Sequence, residues 1–157
     1  MNITSIKYWL LAGIICCGFA ACNDDDDDPT YSHSQAAEVE AAGTYVGTFT
    51  RIRANSSTAV EESAEGTLVI ADSVSHVVNL TFTCDELGIA TAKIPVNISF
   101  ANAGCQFSNF STNNPTGAAI TGHIASDKEL ETSFQLKIRK GFNTTTYDIT
   151  FNGKKSE

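Results

Sequence analysis

Eighteen acidic against ten basic side chains give this 157-residue chain a formal net charge of −8, which excludes the basic footprint that neutralising nucleic-acid phosphates requires. The length holds one domain with a real core and is short for two. Residues 23–42 carry seven acids and no base, while Gly43 onward carries eleven acids against nine bases, so the folded part is close to neutral.

Lys7 precedes a mostly apolar run, Tyr8 to Ala21, of 14 residues. A helix crossing hydrocarbon needs ~20 residues, so this run reads as a targeting segment that is cleaved away, not as a span. Phe19-Ala20-Ala21 sets small residues before Cys22, where the apolar run stops; Cys16 and Cys17 follow Ile15 and Cys16 and lack that setting. Cleavage near Ala21 leaving an unmodified cysteine is the alternative. The motif resembles the lipobox of bacterial lipoproteins, with Phe19 in place of the usual leucine. That resemblance implies lipidation at Cys22, with membrane lipid as partner through an N-terminal acyl anchor. Residues 1–21 are then the signal peptide and 22–42 the lipidated cysteine and an acidic flexible tether.

Asp24 to Asp28 begin that tether, and like charge without large apolar groups predicts a mobile segment of ~25 Å end-to-end. Five consecutive aspartates do not alternate ligands with spacers or offer a turn glycine, so they make a poor calcium loop. The run resembles the acidic export signal of surface-exposed Bacteroidetes lipoproteins. This implies an outer-membrane, lipid-anchored protein facing the extracellular side.

From Gly43 to residue 157 apolar residues recur with period 2, interrupted by Gly, Asn, Asp or Ser, which predicts an all-β antiparallel domain. Eight strands are expected: Thr44 to Arg53, Gly66 to Ala71, His76 to Thr83, Ala92 to Phe100, Cys105 to Ser111, Ala118 to Ala125, Leu130 to Lys140 and Thr145 to Asn152. Alternation assigns inward faces to Leu68, Ile70, Val78, Leu80, Phe82, Phe134, Leu136, Ile138, Tyr147, Ile149 and Phe151. A meander closed into a β-barrel buries these faces and removes the edges, and a two-sheet β-sandwich is the alternative. Only Ala36 to Ala42 carries a short helical pattern.

Gly43-Thr44-Tyr45-Val46-Gly47-Thr48-Phe49, Lys93 to Ile98, Ile120 to Ile124 and Tyr147 to Lys154 resemble the calycin-like lipoproteins of Bacteroidetes. The resemblance implies an eight-stranded lipocalin-like barrel with no established activity. Tyr45 stands where lipocalins carry the tryptophan of Gly-x-Trp, and the chain's one tryptophan, Trp9, lies in the signal.

No nucleophile elbow, His-Glu-x-x-His or phosphate loop occurs, so no catalytic residue, cofactor or metal is assigned. His33 lies in the tether, His123 faces opposite to Ile120 and Ile124, and His76 is placed at the start of the Val78 face. Asp85 and Glu86 read as turn residues. Cys84 and Cys105 share inward parity and form either a disulfide or two buried thiols. Two functions follow: binding of a small apolar or amphipathic ligand lined by the eleven inward residues and entered near Gly104 or Asn113 to Gly117, or a non-catalytic interaction subunit of a cell-surface complex with a solid core.

Overall fold

The computed structural model describes residues 35–102, 104–109 and 119–157. It contains one short helix, α1 (Ala37–Ala41), and nine strands: β1 (Gly43–Arg53), β2 (Glu62–Val74), β3 (Val77–Cys84), β4 (Ile89–Ala90), β5 (Ile94–Ala101), β6 (Gly104–Asn109), β7 (Ile120–Ile124), β8 (Glu129–Lys140) and β9 (Asn143–Lys155). All pairings are antiparallel. The sheet order β2-β1-β9-β8-β7-β6-β5-β3, with β2 paired in turn to β3, makes a closed ring of eight strands, and β4 sits on the end of β3. Each long strand therefore has a neighbour on both sides over at least part of its length, although β7 pairs β8 only at Leu130 to Ser133 among the described residues.

Period-2 patterning places the core. Burial alternates residue by residue along β3 and along β5, where Ile94, Val96 and Ile98 are buried between exposed neighbours. All the inward faces meet inside the ring, forming one cluster that runs from Ala37 to Phe151. Glycines make room for its rings: a Cβ on Gly122 would lie 2.1 Å from Phe107 Cζ, and one on Gly153 would lie 2.4 Å from Phe151 Cζ.

Nine strands replace the expected eight. Ile89–Ala90 is too short to show a period, and it is held by Thr91, whose N–H donates to Phe82 O at 3.1 Å and whose hydroxyl accepts from Phe82 N–H at 3.0 Å. Strand β2 begins at Glu62, earlier than expected at Gly66, because Arg51 on β1 pairs with Glu62 across the ladder. The polar Glu62-Ser63-Ala64-Glu65 stretch gave no apolar signal for this. The expected strand ends at Ser111 and Ala118 lie outside the described residues.

The helical Ala36 to Ala42 stretch, counted with the tether, is packed on the ring: Ala37 and Ala41 are 4% and 1% exposed. Two methyl-sized residues four apart on one helix face fit against strand ends where larger side chains would not.

Candidate functional site

Aromatic rings occupy the middle of the ring. Phe49 and Phe151, register partners on β1 and β9, have centroids 4.6 Å apart; Phe49 meets Phe82 edge-on at 6.2 Å, and Phe82 lies 4.3 Å from Phe134. Strands β3 and β8 are four places apart in an eight-strand circuit, so the Phe82–Phe134 contact joins opposite walls. An eight-strand ring is just wide enough for side chains to fill, and here they meet across it.

Of the eleven residues expected to line a pocket, Leu68, Ile70, Val78, Leu80, Phe82, Phe134, Ile149 and Phe151 are buried, while Leu136, Ile138 and Tyr147 are half-buried against the same cluster. The inward face is where alternation placed it. The side chains on it are packed on one another.

At one end α1 sits against β2 and β5. The Tyr45 hydroxyl donates to Ala41 O at 2.9 Å, the Cys105 thiol lies 3.9 Å from Ala37 O, and Lys155 Nζ donates to Glu40 O at 2.9 Å. Tyr45 thus ties the helix to β1. Burial, with Glu40 nearby adding to it, pushes the Cys105 thiol up to about 11. Burial, then Cys105 and Glu40, push the Tyr45 phenol far above its ordinary value, and burial, then Lys128, lower Lys155.

At the other end the buried Arg51 organises the closure. Its Nε pairs with Glu62 at 2.5 Å, an NH1 hydrogen bond reaches Leu87 O, and the guanidinium lies 4.9 Å from the centre of the Tyr147 ring. This holds the turn after β3 so that Leu87 and Ile89 are buried. Sequence patterning missed Arg51 because a cation on the inward parity of β1 breaks the apolar alternation.

The two cysteines do not meet. Cys84 lies four residues beyond Leu80, whereas Cys105 pairs with Phe100, six residues beyond Ile94, the partner of Leu80, in the opposite direction. At ~3.3 Å per residue they are ~30 Å apart along the strands, far beyond the ~7 Å Cα separation a disulfide tolerates. Both are buried free thiols, Cys84 with its Sγ 3.2 Å from Glu65 O. Shared inward parity was legible, but the axial offset was not.

His76 is a correction: it is exposed with φ +62 in the β2–β3 turn, not on the Val78 face. His123 is exposed on the outside, as its parity required, and Asp85 and Glu86 are exposed turn residues. Among the described residues no group of three or more His, Cys, Asp or Glu converges, and no helix is long and apolar enough to cross a membrane. Gly104 is buried at the start of β6, so it marks no entrance. Cys22, Asp24 to Asp28, His33 and Asn113 to Gly117 lie outside the described residues.

Three open hollows lie over β5 to β9. Their volumes are about 580, 480 and 400 Å³; Thr121 lines all three, and the inward residues Phe134 and Ile149 reach the second and Ile98 and Phe107 the third. They share no enclosed apolar chamber of the kind that buries a small ligand.

No family model matches the chain, and no curated protein does. Among solved structures it is similar to the isotype 1 transferrin binding protein B from serogroup B Neisseria meningitidis, with a TM-score of 0.44 and 15% identity over 81% of this chain. The match spans 26% of that protein's length, so this chain is similar to a minor part of it.

Proposed function

We propose that this chain is a surface-displayed outer-membrane lipoprotein, anchored through Cys22, whose domain is an eight-stranded calycin-like barrel acting as a non-catalytic interaction subunit of a cell-surface complex. One observation carries this choice over a small-ligand carrier: Phe82 and Phe134 touch across opposite walls of the ring, at 4.3 Å. A carrier needs an unoccupied apolar chamber of roughly 300 to 1,000 Å³. Here the apolar faces are spent on each other, and what remains for recognition is the outside and the loops.

On this reading the barrel works as a rigid spacer and platform. The acyl chains hold the N-terminus at the membrane, the acidic tether keeps the domain clear of it, and α1 stiffens the junction through Tyr45 and Lys155.

A fluorescence titration of the Cys22→Ala chain with N-phenyl-1-naphthylamine tests the reading, since removing the acyl site removes micelle-borne dye binding. Weak, non-saturating fluorescence is expected. Saturable one-site binding competed by fatty acid would restore the carrier reading.

A further inference from the structure

The β8–β9 hairpin ends in a feature that folding does not require. Lys140 pairs with Asn143, leaving Gly141 and Phe142 as the whole turn. Gly141 has φ +62, the conformation a two-residue hairpin loop needs at its first position and one a side chain would strain. Phe142 is 100% exposed, the most exposed large apolar side chain among the described residues. Single surface valines need no explanation. A phenylalanine held out on a tight turn buries nothing in its own fold, and the second position of such a turn asks for no aromatic.

Two cations of β8 lie on the approach to it. Arg139 Nε donates to Gly141 O at 3.0 Å, which holds the guanidinium at the turn. Lys137, two residues before Arg139 on the same strand, is exposed on the same outward face. The outward acid of this stretch, Asp148, is engaged by Gln135 at 2.7 Å, and Glu62 is paired with Arg51. Aromatic and arginine side chains together are the types that dominate binding energy at protein interfaces. The two-residue turn fixes the backbone at Phe142 and its hydrogen bond places Arg139 before any partner arrives, which lowers the ordering entropy lost on docking.

Topology says which way the tip points. Strand β8 starts at Glu129, paired with Lys154 beside α1, and runs 12 residues to the turn. At ~3.4 Å per residue the tip stands ~40 Å from the end at which the chain enters the domain.

We propose that this tip is a docking prong: Phe142 enters an apolar socket on a partner protein, while Arg139 and Lys137 meet carboxylates beside the socket. The proposal rests on the interaction-subunit reading and names its contact surface. A lipid target fits less well, because the tip lies at the end of the ring opposite α1 and carries a single ring.

The experiment places the photo-crosslinking residue p-benzoylphenylalanine at position 142 of the full-length chain in the cells that make it, followed by mass spectrometric identification of the crosslinked peptide. One protein adduct is expected, joined at a segment flanked by Asp or Glu. Its yield should fall at least tenfold in the Lys137→Glu, Arg139→Glu double variant, and the same probe at Val60, 78% exposed in the β1–β2 loop, should not give it. Lipid or polysaccharide adducts, the absence of a discrete adduct, or a protein adduct indifferent to charge reversal would each overturn the prong. Dye binding in the titration above would instead sink the filled-core reading, so the two failures are distinguishable.

Discussion

Truncating Phe82 to alanine puts the filled interior under direct strain. Phe82 is 0% exposed, and its ring links Phe49 on the neighbouring side to Phe134 on the opposite wall. Deleting it removes the middle of a four-ring chain and leaves a void between opposite walls of the ring. A closed sheet cannot collapse inward as a loosely packed helix pair can. Phe-to-Ala changes in cores cost ~3 to 5 kcal/mol, the upper values belonging to sites that relax least, so ~4 kcal/mol is the expected loss. For a domain whose total stability is ~5 to 15 kcal/mol, the variant is marginal. Urea unfolding of the Cys22→Ala chain, followed by far-ultraviolet circular dichroism with and without Phe82→Ala, measures this. At an m-value of ~2 kcal/mol per molar the midpoint drops by ~2 M with slope unchanged. Toluene should raise the variant's midpoint by filling the void and leave the parent's unchanged. A loss below ~1 kcal/mol would refute the reasoning, since it would mean that the ring borders empty space.

Gly122→Ala forces a methyl to within 2.1 Å of Phe107 Cζ, and overpacking of this kind should cost ~1 to 3 kcal/mol in the same urea assay. Arg51→Met keeps the stem but strands Leu87 O and loosens the closing turn; a loss of ~1 to 3 kcal/mol is expected, with faster amide exchange at Leu87 and Ile89 as the local readout. The Cys105 thiol is raised from 9.0 to about 11, so above pH 9 the unfolded chain releases a proton that the native chain keeps. Stability should therefore be level below pH 9 and fall as pH rises toward 11. Unfolding midpoints across that range should decline less steeply in Cys105→Ala, and an equal decline would remove Cys105 as a cause.

Alternation made the inward faces of β3, β8 and β9 readable, because a one-residue slip would have turned Val78, Leu80 and Phe82 to water. It left a closed meander and a two-sheet sandwich as alternatives, which the β2–β3 pairing that closes the ring decides. Signals that are long-range in origin were not readable. Whether Phe82 reaches Phe134 depends on ring diameter and on the glycines that let other rings lie close to the backbone, and no local pattern encodes that. The Arg51–Glu62–Leu87 closure joins residues 36 apart in sequence. Cys84 and Cys105 looked equivalent by parity while register sends them to opposite ends. Phe142 hides in a Lys-Gly-Phe-Asn turn whose glycine announces the bend but not the direction in which the hairpin projects.

The central claim is that side chains fill the ring from wall to wall, and the aromatic region of a nuclear Overhauser spectrum tests it most directly. In Cys22→Ala protein with selectively labelled phenylalanine, a strong cross-peak is predicted between the ring protons of Phe82 and Phe134, whose centroids lie 4.3 Å apart. Its absence, with cross-peaks from either ring to a co-purified lipid in its place, would contradict the account and make the domain a carrier.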